Sequence, residues 1–579
     1  MVNAQQYVGY VVISRESPMR TTKIYADLLD ESVREGDVVT IVSQDGSPLA
    51  IGVVSNVEVY SAVDKFEYAS LGIRLTQGQP ATKPRLFRKA SINILVKLKN
   101  ETFDKAYAIK LPERSDTDAL WKSLIPDPNK RILAGFLKGR EPIPAFYYAD
   151  FLLGPEGAHL NVGGMSGLAA KTSYLRFLMF SLIEYMERTQ QEIYIIAFNV
   201  KRLDFMGLHR IPDSENDLDK CIEAWGRNKG IDNETLQIYK QMYKEIFNAM
   251  YNYRNNIKYF TYQDDPYRNK PEFMSNAQVY SYGLLDLGTE GLIAGLFEEE
   301  DEASILQMNL ITKIMNIIAE YSHLRPSMNT LRQVLECLRA ERASSKPSRS
   351  GTHSDSAQNI CARILQEMSP DPRTVEAVMR RLDGFLERAK HIIDRSAPSS
   401  SPIRADGLVK GVNVIQLYGL SDVEKRVIVS CVINDILRFA EEMQRKGKDK
   451  AFVIIVDELN KYAPTSKSPI KKILVEIAAR GRDLRVSLFG AEQFPSDIDS
   501  QVLGNTGTLV VGRMPLAELE EKMYKIFGEL RNTAGYLGKG EVLVHHPIYL
   551  QPLILSFPPP INDIMRESLS TNMVTQNEL

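Results

Sequence analysis

Apolar and polar residues alternate along roughly the first hundred positions in the manner of half-buried strands. The segments Tyr7-Val-Gly-Tyr-Val-Val-Ile-Ser14, Gly36-Asp-Val-Val-Thr-Ile-Val-Ser43, Ile51 to Tyr60 and Ser91 to Leu98 carry the pattern. Turn material such as Asp45-Gly-Ser-Pro48 separates them. Short strands punctuated in this way predict a small β-barrel. The pattern changes near residue 140. Ala158-His-Leu-Asn-Val-Gly163 reads as a buried strand, a Gly/Ser turn follows, and a helix is expected from about Thr172 to Glu187. Glu192-Ile-Tyr-Ile-Ile-Ala-Phe198 reads as a second buried strand. Strand, turn, helix and strand in that order form the unit of a parallel α/β sheet.

Residues 205–400 are mostly helical in pattern. They include a Tyr- and Lys-bearing stretch from Tyr239 to Tyr262, expected as a packed helix face, and an acidic run from Glu298 to Glu302, expected to be solvated. Two Ser- and Pro-rich segments, Ala343 to Gln358 and Ser396 to Ala405, read as flexible. Strand character returns at Val412 to Leu417. Ser421-Asp-Val-Glu424 then fits a capping box, with a helix running to about Phe439. Ala451 to Val456, Arg485 to Gly490, Thr508 to Gly512 and Glu541 to His545 read as further strands, and the tail beyond Pro560 as frayed. The expected organisation is a barrel at 1–115, a first part of the α/β core at 116–204, a helical insertion at 205–407, a second part of the core at 408–560 and a flexible tail at 561–579.

Composition narrows the class only modestly. Apolar residues make up 44% and charged residues 25% of the 579, the balance of a globular protein. No apolar run reaches the roughly 18 residues that a bilayer-spanning helix needs, and no secretory signal is visible, so a cytoplasmic location is expected. Cys221, Cys337, Cys361 and Cys431 show no metal-ligand spacing and read as buried or incidental thiols. A net charge of −2 leaves nucleic acid open as a partner, because a ring that threads DNA needs positive charge only along its pore.

The chemistry concentrates at strand ends. In Gly163-Gly-Met-Ser-Gly-Leu-Ala-Ala-Lys171-Thr172-Ser173, a glycine-rich turn leads into a helix, where backbone N–H groups converge on phosphate oxygens. Gly164, Ser166, Gly167, Leu168, Ala169, Ala170, Lys171, Thr172 and Ser173 are the expected phosphate-binding residues of ATP. Lys171 would supply charge at the β- and γ-phosphates, and the Thr172 hydroxyl would bind Mg²⁺. The match is imperfect: Met165 and Ala170 stand where the P-loop pattern places glycines. A second signal is Asp457-Glu458 at the end of a buried apolar run. Adjacent carboxylates there are costly without partners. Asp457 is expected in the Mg²⁺ shell and Glu458 at the attacking water. Gln493, after the next strand, would orient water, and Arg480 and Arg482 would neutralise transition-state charge from a neighbouring subunit. Arg513 is a further candidate, and His159 is expected to be structural.

In this order the motifs resemble the HerA-like ATPases of the RecA/FtsK group: a β-barrel, a strand–P-loop–helix at Asn161 to Ser173, Ile455-Val-Asp-Glu-Leu-Asn-Lys-Tyr-Ala-Pro464, and Ala479-Arg-Gly-Arg482 with Gln493-Phe-Pro-Ser-Asp-Ile-Asp499. The resemblance implies a RecA-like P-loop core in a homo-hexamer, ATP between subunits, DNA through the central pore, and a separate nuclease or sirtuin-like effector. The altered P-loop resembles a bacterial anti-phage-defence branch. The chain itself carries no nuclease carboxylate cluster and no sirtuin nucleotide motif. Other readings are a nucleotide-binding ring scaffold that regulates an effector, a DNA end-resection motor, and a motor for protein or conjugative transfer. The absence of a membrane segment weighs against the last of these.

Overall fold

The structure is a computed structural model that describes residues 7–13, 20, 22–61, 86–99, 107–137, 142–165, 171–202, 204–268, 277–324, 326–343, 357–368, 371–393 and 401–567. Six strands form a closed antiparallel barrel: β1 (Gly9–Val12), β2 (Lys23–Leu28), β3 (Val38–Val42), β4 (Pro48–Ser61), β5 (Leu86–Lys97) and β6 (Ala108–Lys110). Their order is β1-β2-β5-β4-β3-β6. Ile24, Ile41, Ile92 and Ile109 fill its interior. β2 and β6 are not among the strands expected from the sequence: β6 has three residues, and β2 alternates, with Ile24, Ala26 and Leu28 inward, over only six.

The rest of the chain is built on one twelve-stranded sheet. Its strands are β7 (Arg131–Leu137), β8 (Ile143–Tyr148), β9 (Leu160–Gly163), β10 (Glu192–Asn199), β11 (Lys258–Thr261), β12 (Gln278–Val279), β13 (Gly411–Gln416), β14 (Lys450–Asp457), β15 (Val486–Glu492), β16 (Thr508–Val511), β17 (Glu541–His545) and β18 (Leu553–Ser556). The order is β12-β11-β13-β10-β14-β15-β9-β16-β17-β18-β7-β8. Strands from β12 to β16 are parallel, and β17, β18, β7 and β8 continue antiparallel.

Both faces of the parallel part are covered, which is why its strands read as unbroken apolar runs. Successive residues feed opposite cores. Ile193, Ile195, Val453 and Ile455 join the helix Lys171–Thr189, while Ile196, Phe198, Ile454 and Val456 join the helices Asp422–Arg445 and Pro469–Leu484. The predicted cap is present: the Glu424 N–H donates to Ser421 Oγ (3.3 Å), and the Ser421 N–H donates to Glu424 Oε2 (2.9 Å).

The insertion is mostly helical, as expected, but the stretch Tyr239 to Tyr262 is not one packed helix face: its end forms β11, which with β12 extends the sheet beside β13. Lys258–Thr261 is too short for a periodicity to show, and only tertiary pairing makes it a strand. The run Glu298 to Glu302 is only partly solvated: Glu300 pairs with Lys472 (2.7 Å), and Asp301 caps the helix Glu302–Glu320 through the Ser304 N–H (2.6 Å). Residues 561–567 are helical rather than frayed, with Ile561 and Ile564 buried and Asp563 paired to Arg176 (2.7 Å). Residues 568–579 lie outside the described residues. Residues 344–356 of the first Ser/Pro-rich segment and 396–400 of the second do too, while Ser401 bridges to Tyr280 and Ala405–Gly407 form a short helical turn. Cys337 and Cys361 are joined as a disulfide between the helices Met328–Ala343 and Ala357–Glu367, so these two are not incidental thiols. Their separation of 24 residues carried no signal, because only the packing of those helices makes them neighbours. No helix among the described residues is long and apolar enough to cross a membrane.

Candidate functional site

Parallel sheets bind ligands at the carboxyl ends of their strands, where the chain skips to a non-adjacent neighbour. Here the chain leaves β9, passes through the helix Lys171–Thr189 and returns as β10, with β14 and β15 lying between the two. The order β10-β14-β15-β9 therefore sets four strand tips in a row. Register pairs Phe198 with Val456, Asp457 with Ala491, and Glu492 with Gly163.

At the β9 tip, the Gly164 N–H donates to the Glu492 carbonyl (3.2 Å) and the Met165 N–H to the Arg513 carbonyl (2.8 Å). Gly163 lies so close to the Tyr524 hydroxyl and the Met514 methyl that a Cβ would overlap both. Ser166, Gly167, Leu168, Ala169 and Ala170 lie outside the described residues. The helix then opens at Lys171, whose side chain is buried. Burial pushes the Lys171 ammonium down to about 8, with Asp457 opposing and the Lys201 charge reinforcing the fall. A desolvated cation is the chemistry that an incoming phosphate rewards, because their attraction is strong where water is excluded.

Asp457 ends β14 fully buried. Its Oδ2 accepts from Thr172 Oγ1 (3.2 Å) and from Lys201 Nζ (2.7 Å), and its Oδ1 accepts from the Glu458 N–H (2.9 Å). The two residues expected at Mg²⁺ are thus in contact. A carboxylate and a hydroxyl are hard oxygen donors of the type Mg²⁺ takes alongside phosphate and water, so these side chains fit the ion. Lys201, two residues beyond β10, has no sequence signature, since Asn199-Val-Lys-Arg carries no motif. Burial works against the Lys201 charge, but Asp457 outweighs it, so its ammonium is held above the ordinary value.

Glu458 has left-handed backbone (φ 59°, ψ 48°) and pairs with Lys461 (2.6 Å), with Lys201 4.0 Å away. Positive φ is uncommon outside glycine and gathers at functional sites. The next tip brings Glu492, which no sequence motif singles out beside Gln493. Glu492 is buried, accepts from Asn161 Nδ2 (2.9 Å) through Oε2, and leaves Oε1 without a partner. Asn161 Oδ1 and the Tyr524 hydroxyl are likewise buried and unpartnered. Gln493 follows directly, half-buried at the strand end. Burial pushes the Glu492 carboxyl up to about 8, against the lowering effects of Asn161 and Lys171.

The folded-state pKa of Glu492 lies above the ordinary 4.5, so the stabilising contribution of protonated Glu492 is fully present below about pH 4.5 and is lost as pH rises through about 8. Thermal melts from about pH 5 to about pH 9 should show the wild type losing stability more steeply than Glu492→Gln, whose amide cannot ionise. Superimposable profiles would show that Glu492 does not titrate in this range.

The arginines divide. Arg480 and Arg482 lie near the end of the helix Pro469–Leu484, which runs from the site edge back to the start of β15. They therefore sit at the opposite end of the strands from Lys171, and the fold does not bring them to this chain's own site. Arg480 pairs with Glu476 (2.7 Å) and Glu441 (2.6 Å), and Arg482 with Asp483 (3.4 Å). Gly481 between them has no room for a Cβ, which would overlap the Val486 carbonyl. Arg513 is exposed beyond β16, at the site edge. His159 is structural: its Nδ1 accepts from the Leu488 N–H (3.0 Å), and burial pushes its ring down to about 4.

No family model matches the chain, and no curated protein does. Solved structures do. The chain is similar to a bacterial conjugative coupling protein, TrwBdeltaN70 in an unbound form, at 13% identity and TM-score 0.44, over 76% of this chain and 92% of that one. It is similar to VirB4 of Thermoanaerobacter pseudethanolicus at 12% identity and TM-score 0.40, over 74% and 97%. The plasmid coupling protein TrwB in complex with ADP and Mg²⁺ matches at 12% and 0.40, over 75% and 96%.

Proposed function

We propose that the chain is an ATP-hydrolysing motor whose nucleotide phosphates lie at the tips of β9, β14 and β15. One observation carries this: Lys171 and Thr172, some 285 residues from Asp457 and Glu458, meet them at the carboxyl ends of the central parallel strands, with Thr172 and Asp457 in direct contact and Gln493 just past the tip of β15. Bound between Thr172 and Asp457, Mg²⁺ would polarise phosphate oxygens and offset their charge. Lys171 places a cation at the phosphates. Glu458 takes the proton of a water that attacks the γ-phosphorus as the bond to the β-phosphate oxygen breaks, and Gln493 holds that water in line.

In a homo-hexameric ring, Arg480 and Arg482, standing at the far end of the strands of one subunit, would face the nucleotide of the next. Such a ring would move DNA through its pore and act with a separate nuclease or sirtuin-like effector in anti-phage defence. The test is phosphate release from ATP and Mg²⁺, with and without duplex DNA, on the full chain and on Lys171→Ala. Hydrolysis should be stimulated by DNA and fall to background in Lys171→Ala. Hydrolysis that survives the change would refute the site. Full effector assembly and activity in Lys171→Ala would favour a nucleotide-binding scaffold, and native mass measurement decides the hexamer.

A further inference from the structure

A cavity of about 440 Å³ opens beside Ser173, in the first turn of the helix that begins at Lys171. Its walls come from distant parts of the chain. Trp225 lies on the helix Glu215–Lys229, Tyr239 on the helix Asn233–Lys244, Phe557 and Pro559 beyond β18, and Glu567 on the helical segment 561–567. The rings are held in place. The Trp225 indole N–H donates to Glu567 Oε2 (3.0 Å), the same carboxylate pairs with Lys229 (3.0 Å), and the Trp225 and Tyr239 centroids are 6.3 Å apart. Asp563 ties the segment 561–567 to Arg176, on the same helix as Ser173.

The position gives this cavity its meaning. In a P-loop the lysine reaches the β- and γ-phosphates, the following hydroxyl serves Mg²⁺ and the surrounding backbone N–H groups cradle the α- and β-phosphates. The next residue along the helix, Ser173, lines this cavity. A cavity of this size, lined by aromatic and proline rings with a few polar groups, suits a flat ring system.

We infer that this cavity receives the purine base of the bound nucleotide, and that the helical insertion, through Trp225 and Tyr239, supplies base recognition to a phosphate site built by the sheet. The inference rests on the phosphate-site assignment above. It gives the insertion a role in nucleotide selection.

The chain has two tryptophans. Trp121 is buried in the core against Phe146, so Trp225 is the fluorophore a base would reach. The full chain is titrated, in Mg²⁺, with ATP and with tripolyphosphate, following tryptophan emission and binding heat. ATP should change the emission and bind more tightly than tripolyphosphate, which should bind without changing it. Trp225→Leu should weaken ATP roughly tenfold, the scale of one base–aromatic stack, and leave tripolyphosphate unchanged. Tyr239→Leu should act in the same direction and serves if the first variant fails to fold. Equal affinities for ATP and tripolyphosphate, or unchanged ATP affinity in both variants, would overturn the inference. Failure of the wild type to bind either ligand would remove the phosphate site itself, and the base site with it. Tripolyphosphate binding that is lost in Lys171→Ala, alongside variants that leave ATP affinity unchanged, would keep the phosphate site and refute only the cavity.

Discussion

Glu458→Gln is expected to slow hydrolysis by about 10²–10⁴-fold, the usual contribution of a positioned general base, while nucleotide binding persists. The reasons are geometric. Glu458 follows the buried Asp457 at the tip of β14, and its left-handed backbone turns the chain into the short helical turn Leu459–Lys461. Its side chain is partly exposed, with Lys461 as its close partner and Lys201 farther off, so water can reach it. Glutamine keeps the size of the side chain and its capacity to hydrogen-bond but cannot accept a proton from water. It also leaves Asp457, Thr172 and Lys171 untouched, which separates the loss of chemistry from the loss of binding. Single-turnover phosphate release and equilibrium nucleotide binding on the same preparation decide the matter. A parallel loss of both would place Glu458 in the binding network instead, and an unchanged rate would remove it from the mechanism.

Lys201→Met should destabilise the Mg²⁺-free protein by roughly 3 kcal/mol, near the lower end of the cost of leaving a buried charge unpaired. Asp457 is only 1% exposed at its side chain, whereas Lys201 is 37% exposed. The carboxylate is therefore the partner that suffers when the pair is broken. The lower end applies because Thr172 and the Glu458 N–H still donate to it, and because a half-exposed lysine contributes less than a buried one. Lys201 sits on the same Oδ2 that Thr172 contacts, so it holds the place a cation would take. Mg²⁺ with ADP should then restore most of the lost stability by supplying positive charge to that oxygen. Melting curves of both proteins, with and without Mg²⁺ and ADP, provide the comparison. A gap that stays the same width in both conditions would mean that Lys201 and the metal do not share the carboxylate.

Both predictions turn on side chains whose legibility in the sequence differed. Asp457 and Glu458 were visible because six apolar residues ending in two acids leave little else to expect. Lys201 and Glu492 were not. Lys201 follows a strand that ends without a motif, and its importance comes from β10 pairing with β14, strands separated by some 250 residues of chain. Glu492 looked like one more acid in Ala491-Glu-Gln493 until the insertion of β15 between β9 and β14 buried it beside Asn161. The arginines were legible as a cluster, but which end of the strands they occupy was not. Local patterns record whether a strand is buried, not which strand lies next to it.

The sequence by itself determined the elements. Runs buried on both faces, the Ser421 cap and the alternation in most of the barrel strands are properties of adjacent residues, and adjacent residues are what periodicity and capping measure. The tertiary structure alone decided the strand order that sets four tips in a row, the pairing of Lys201 with Asp457, and the burial of Glu492. It also decided the disulfide between Cys337 and Cys361 and the cavity that brings Trp225 to Ser173. Each of these depends on groups far apart along the chain, and their energies come from burial and from charge at short range, which exist only once the sheet has assembled.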